Sequence, residues 1–302
     1  MSGLLTLRGM PADRLGDLLD SGQRYVDMIR AGVRAPSRLE GRTVTIVFFE
    51  PSTRTRLSFE KAAHALGATV MVFAPEMSST VKGESFKDTI LTLTAMGSDV
   101  LVIRHVLADA ADLAALWSGV PIINAGAGRR EHPTQTLIDA LTLRQHFGAL
   151  QGLRMGIVGD VDNSRVARGH LAALPTLGIE LTLIGPSTLL PVANPWVART
   201  THSLDEALGD LDVVYLLRVQ RERGAAAGLS SEASYNRRYG MTEERLSMLK
   251  PTSVIMHAGP INRGIEIDDS VADGERSLIL EQVANGVPMR MAVLEAALGE
   301  RE

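Results

Sequence analysis

The chain of 302 residues contains no cysteine. Disulfides, thiol nucleophiles and cysteine-ligated metals are therefore excluded, and the composition suits a reducing, cytoplasmic compartment. Lysine is scarce as well. It occurs only at positions 61, 82, 87 and 250 among 31 basic residues, so arginine carries nearly all the positive charge. The formal net charge of −4 is too close to balance for bulk electrostatics to draw the chain to nucleic acid or a membrane surface. No apolar run reaches membrane-spanning length. The opening MSGLLTLRGMPADRL lacks a basic stretch ahead of a long apolar one, so no signal peptide is expected. Internal repeats, low-complexity tracts and His/Asp/Glu clusters at metal-ligand spacing are also missing. The glycines of MGIVGD at 155–160 do not follow G-x-G-x-x-G, and Asp160 stands where a pyrophosphate would need open amides. No dinucleotide, metal or other cofactor is expected.

What the chain does have is alternation. Short runs rich in Val, Ile and Leu fall at 43–49, 69–73, 99–103, 121–124, 154–158, 180–184, 212–217 and 253–256. They are apolar throughout, as suits parallel strands covered on both faces. Amphipathic segments lie between them at 52–66, 85–96, 109–117, 133–147, 164–174 and 243–249, flanked by helices at 11–30 and 280–298 with a bend expected at Pro288. Gly67, Gly97, Gly119 and Gly148 stand where helices should end. The pattern predicts an α/β fold of two doubly wound domains, each a mostly parallel sheet of about four strands flanked by helices. The helix at 133–147 bridges the halves. The boundaries expected are 1–133 plus 286–302 for the first domain and 134–285 for the second. Residues 220–241 read as a long polar connection, a functional or moving loop.

The most informative stretch is 50–60, EPSTRTRLSFE, directly after the first strand. A helix opening there presents backbone amides without intrahelical partners, which favour an anion. Ser52, Thr53 and Thr55 add hydroxyl donors, and Arg54 adds a planar fork suited to two phosphate oxygens. The plain alternative is an ordinary helix cap followed by exposed arginines. In doubly wound folds ligands gather beyond the carboxyl ends of the strands. Four of six such strand ends here deliver an arginine, namely Arg54, Arg104, Arg165 and Arg218, and the other two deliver His132 and His257. So many guanidinium groups on one presumed face imply a polyanionic ligand set, phosphate plus carboxylates. His132 precedes a proline at the first helical position, and a helix N-terminus disfavours imidazolium, so a neutral donor is expected there, with Gln135 one turn later. His257 reads equally well as a buried structural residue. Ser78 to Ser85, SSTVKGES, reads as a loop carrying one cationic finger, Lys82, or as a plain surface loop.

Taken in order, STRTR, SSTVKGES, Arg104-His105, HPTQ, GDVDNSRV, RVQRER and HAGPINRG resemble the aspartate branch of the aspartate/ornithine carbamoyltransferase family, from about Glu50 to the end of the chain. The resemblance implies transfer of a carbamoyl group from carbamoyl phosphate to L-aspartate in pyrimidine biosynthesis. It implies that Ser52, Thr53, Arg54 and Thr55 hold the phosphate. Thr55, Arg104 and His132 would bond the carbonyl oxygen, and Gln135 with backbone carbonyls near Gly259-Pro260 would hold the carbamoyl amide. Arg165, Arg218 and Gln220 would grip the carboxylates of aspartate. Ser78 and Lys82 resemble residues that reach into a neighbouring subunit's site, which implies a homotrimer. Glu50 resembles a residue that pairs with Arg165 and Arg223 on closure, and Gly259-Pro260 matches a cis bond. The ornithine enzymes carry a cysteine that this chain lacks, and they lack the RVQ-x-E-R run, so aspartate is favoured over ornithine as acceptor. A silent scaffold subunit is the reading from another class, opposed by the competent side chain at every mapped position. Ala258 and Gly169 depart from the common pattern. Association with a regulatory chain or a dihydroorotase is left open by the sequence.

Overall fold

The computed structural model describes residues 3–191, 199–219 and 232–299. The chain divides into two compact units, Met1–Leu141 with Val283–Glu302, and Thr142–Gln282. No described helix is long and apolar enough to cross a membrane.

The first unit contains strands β1 (Gly3–Leu4), β2 (Thr43–Phe48), β3 (Thr69–Phe73), β4 (Val100–His105) and β5 (Ile122–Ala127), with helices α1 (Ala12–Arg30), α2 (Thr53–Ala65), α3 (Phe86–Ala95) and α4 (Ala110–Ser118). Helix α5 (Pro133–Phe147) leads into the second unit. That unit contains α6 (Arg165–Ala173), α7 (Asp205–Leu208), α8 (Glu232–Tyr239), α9 (Glu243–Met248) and α10 (Asp269–Ala272) around β6 (Arg154–Val158), β7 (Glu180–Ile184), β8 (Arg199–Thr201), β9 (Val213–Leu216) and β10 (Val254–His257). Helix α11 (Ile279–Leu298) returns the chain to the first unit and runs on through Pro288.

Each unit has one five-stranded sheet, in the orders β1-β5-β4-β2-β3 and β10-β9-β6-β7-β8. All described pairings between these strands are parallel. The expected sheets of about four strands each gain β1 and β8. These are two and three residues long, too short to register as an apolar run. The connection expected over 220–241 is also revised, since 232–239 is helical. Tyr235 and Tyr239, four apart, bury one face of α8. Residues 220–231 lie outside the described structure.

Apolar burial explains the register. Val44, Ile46, Val47, Leu101 and Ile103 are fully buried in the first sheet, and each such side chain contributes roughly 1.5–3 kcal/mol. In the second unit Val158, Ile184, Val214 and Leu216 form the core with Tyr235, Tyr239 and Ile267. Gly67, Gly97, Gly119 and Gly148 all take left-handed φ, as helix-ending glycines do.

The strand order reverses at β2 in one sheet and at β6 in the other. β3 and β4 flank β2, and β7 and β9 flank β6. The loops leaving these strands therefore diverge to opposite sides, and a crevice opens between them. The carboxyl ends that border the two crevices are those of β2 and β4 in one unit and of β6 and β9 in the other.

Candidate active site

In the first unit the chain leaves β2 through Phe49. Its amide donates to the Arg104 carbonyl at 2.8 Å, which locks the end of β2 to the end of β4. Phe49 packs against Phe73, Phe86 and His105 with ring centroids 4.7–5.5 Å apart across the cluster. His105 belongs to this aromatic floor. Its Nδ1 accepts the Leu107 amide at 3.0 Å, and burial pushes its pKa below the ordinary histidine value, so it stays neutral.

Above that floor α2 begins. Ser52, in extended conformation, caps it by accepting the Thr55 amide at 3.4 Å. Thr53 and Arg54 are exposed on the first turn. Surrounding protein withdraws water from the Arg54 head and lowers its pKa, yet a guanidinium remains cationic at neutral pH. Thr55 turns inward, and its hydroxyl meets His132 Nε2 at 3.4 Å. The other ring nitrogen of His132 lies 3.4 Å from the Thr134 hydroxyl. The His132 carbonyl accepts the amides of Gln135 and Thr136, so this residue opens α5. Glu131 beside it is buried and accepts from Thr6 Oγ1 at 2.8 Å and from the Leu7 amide at 3.0 Å, which pins the chain before α1 to the start of α5.

Arg104 projects from the end of β4. Its Nη1 donates to the Ala125 carbonyl at 3.3 Å, and its Nε lies 3.9 Å from Glu50 Oε2. Glu50 thus has a partner within its own unit. Gln135 donates to buried Asp139 at 2.9 Å. Beneath them sits Arg290 of α11, 3% exposed, with its guanidinium 5.0 Å over the Phe59 ring and Nη1 on the Gly286 carbonyl. Burial, and after it the neighbouring Arg104 cation, push its pKa down to about 9 against the opposing pull of Asp139.

Ser78 and Lys82 leave from the edge strand β3, away from the reversal point. The Ser78 hydroxyl donates to the Pro75 carbonyl at 2.8 Å and caps a short turn, Ser79–Lys82. Lys82 is exposed.

In the second unit Ser164 caps α6 by accepting the Ala167 amide at 3.2 Å, which places Arg165 on the first turn. Arg218 follows β9 and is half-buried. Gln220 and Arg223 lie outside the described residues. Gly156 and Gly159 have packing reasons rather than nucleotide ones. A Cβ on Gly156 would meet Leu211 at 2.5 Å, and one on Gly159 would meet the Tyr235 hydroxyl at 2.6 Å. Asp160 turns back onto Asn163, accepting its Nδ2 at 2.8 Å. The turn after β10 contains a cis Gly259-Pro260 bond, and the Gly259 amide donates to His257 Nδ1 at 2.7 Å.

The structure therefore joins Thr55 to His132, Arg104 to Glu50 and Gln135 to Asp139, and sets Arg165 and Arg218 beside one strand reversal. Sequence reasoning missed Asp139, Arg290, Glu131 and Glu266. Asp139 stands four residues after Gln135, a spacing that signals a helical pair. Arg290 interrupts the apolar run VPMRMAVL, where an isolated charge needs a reason.

A serine-capped helix start at one strand-order reversal and two arginines at the next suit a protein that handles phosphate and carboxylates. Two family models cover almost the whole chain. They are the aspartate/ornithine carbamoyltransferase carbamoyl-P binding domain over residues 3–145 and the Asp/Orn binding domain over residues 151–297. The chain belongs to the aspartate/ornithine carbamoyltransferase family. Among its relatives, the aspartate carbamoyltransferase catalytic subunit of Acidothermus cellulolyticus is 47% identical over 303 residues, covering 100% of this chain and 94% of its own length. That of Thermobifida fusca is 47% identical over 300 residues, covering 99% and 96%. Among solved structures, aspartate transcarbamoylase from Trypanosoma cruzi with carbamoyl phosphate and aspartate superposes with a TM-score of 0.90. It is 33% identical, with 99% of this chain and 96% of that chain covered.

Proposed function

We propose that this chain transfers the carbamoyl group of carbamoyl phosphate to the amino group of L-aspartate, giving N-carbamoyl-L-aspartate and phosphate, the step that commits material to pyrimidine (UMP) synthesis. One observation carries the reading. The capped start of α2 sits at the reversal of the first sheet with Thr55 on His132 and Arg104 on the adjoining strand end.

The first unit binds carbamoyl phosphate. Ser52, Thr53, Arg54 and Thr55 hold its phosphate through hydroxyls, amides and one guanidinium. Thr55, Arg104 and His132 converge on the carbonyl oxygen, where negative charge builds as the neutral amine attacks the carbamoyl carbon. Each such donor is worth on the order of 2.7–4 kcal/mol of barrier. Gln135, oriented by Asp139, and carbonyls at Gly259-Pro260 take the carbamoyl amide. Arg165, Arg218 and Gln220 take the aspartate carboxylates. As the new C–N bond forms, the bond from the carbamoyl carbon to the bridging oxygen breaks, that oxygen leaves with the phosphate, and the departing phosphate accepts the amine proton. Arg54 and Lys82 stabilise that phosphate. Glu50 and Arg223 are assigned to the closed, substrate-bound state.

Ser78 and Lys82 act in the site of a second copy, within a homotrimer. Supporting this, Met77 and Val81 beside them are 88% and 68% exposed, an apolar flank suited to burial against another chain. Mixing inactive Arg54→Ala and Lys82→Ala chains is expected to restore partial activity through hybrid sites, and no rescue in mixed trimers would remove the shared site. A carbamoyl transfer assay with aspartate and with ornithine tests the reaction itself. Turnover with aspartate is expected, and turnover with ornithine alone would reassign the acceptor.

A further inference from the structure

Glu266 is wholly buried in the second unit, between the core residues Ile265 and Ile267. Packing alone gives no reason for a carboxylate there, since burying one is costly unless it is well bonded. Its bonds all go to one place. Oε1 accepts the Asn262 amide at 2.5 Å, and Oε2 accepts Asn262 Nδ2 at 3.2 Å. Oε1 also faces His257 Nε2 at 3.4 Å. His257 Nδ1 accepts the Gly259 amide, which leaves Nε2 as the ring nitrogen that carries a proton, facing Glu266 without a formed hydrogen bond. Asn262 Nδ2 donates in addition to the Val219 carbonyl at 3.1 Å, one residue past Arg218. The His257 amide is held by Gln282 Oε1 at 3.0 Å. One carboxylate thus binds the 257–262 turn to the end of β9.

We propose that Glu266 is a positioning residue that, through His257 and Asn262, sets both the Gly259-Pro260 carbonyls and the Arg218 strand end. The proposal rests on the carbamoyl transfer reading above. A glutamine cannot replace it. Whichever way its amide turns, one NH2 meets a donor already present, either the Asn262 amide or Asn262 Nδ2. The 257–262 turn then separates from Val219, and two sets of ligands drift together.

The test compares Glu266→Gln, Asn262→Ala and the double variant. Each single variant is expected to raise the aspartate KM about tenfold or more and to weaken binding of succinate, an unreactive dicarboxylate, by a similar factor in calorimetry. Inorganic phosphate binding, a property of the first unit, is expected to stay within twofold of wild type. The double variant should be no worse than the weaker-binding single, because both cut the same link. Glu266→Gln with wild-type aspartate KM and succinate affinity overturns the proposal. So does activity loss matched by an equal loss of phosphate binding, which marks a merely unfolded fraction. If Glu266→Gln does not fold, Asn262→Ala alone decides by the same readings. Failure of the wild-type enzyme to carbamoylate aspartate would instead overturn the reading of the site, an outcome separate from these.

Discussion

The two units use one architectural device for two kinds of anion. Each has a parallel sheet whose strand order reverses, at β2 or at β6, and each starts a serine-capped helix just beyond that strand. They differ in the bonds that surround these helix starts. In the first unit the side chains themselves are held: Thr55 by His132, Arg104 by Glu50 and Ala125, Gln135 by Asp139. In the second, buried Glu266 holds Asn262, which in turn reaches the Val219 carbonyl next to Arg218. A carbamoyl carbon under attack needs donors aimed at where charge develops on its oxygen, so their geometry has to exist beforehand. A carboxylate that is only gripped is served by planar forks on well-placed strand ends.

This contrast can be broken kinetically. The largest effect is expected from Arg54→Ala or His132→Ala, which should lower kcat about 10²–10³-fold. Arg218→Ala should chiefly raise the aspartate KM and leave phosphate affinity near wild type. Steady-state kinetics and phosphate calorimetry check both, and a kcat defect confined to Arg218→Ala would invert the assignment of the two units.

Next in size is the core. Ile46→Ala and Ile157→Ala each empty a fully buried site in one sheet, at a cost of about 2–5 kcal/mol. Denaturant melts followed by local probes should show each change lowering the midpoint of its own unit first.

A finer probe uses the two caps. Ser164→Ala should cost about 1 kcal/mol and little affinity for phosphate. Ser52→Ala should cost a similar amount of stability and in addition weaken phosphate binding. Equal phosphate affinities in the two variants would show that Ser52 is a cap and nothing more.

The smallest effect is on acid stability. His105 is held neutral, with its folded pKa below the unfolded value. Its contribution is fully present above the unfolded pKa, about 6.5, and is lost as pH falls below that toward the folded pKa. His105→Phe should therefore melt with a shallower decline between pH 7 and 5, by no more than about 4 °C. An unchanged slope would place the acid sensitivity elsewhere.

Much of the fold was legible because buried parallel strands are apolar without alternation, as at Arg154–Val158 and Glu180–Ile184, both expected and observed over the same residues. Strands β1 and β8 were not, because pairing at a sheet edge can recruit two or three residues of any composition. The first half-site was legible because capping hydroxyls, a guanidinium and a strand end lie within a few residues of one another in sequence. Arg290 and Glu266 were not, because what makes them unusual is burial, and burial is set by elements far away in the chain. Arg290 reaches Phe59 across more than two hundred positions.

The order of assembly is a consequence of where the divisions fall. The second unit is complete by Gln282, whereas the first has residues on both sides of it, up to Met1–Leu141 and from Val283 onward. A ribosome therefore makes the whole second unit between the two stretches of the first, and the greater part of α11, from Val283 onward, follows it. Phe59, in the earlier stretch, meets the Arg290 guanidinium only after all of the second unit has been synthesised.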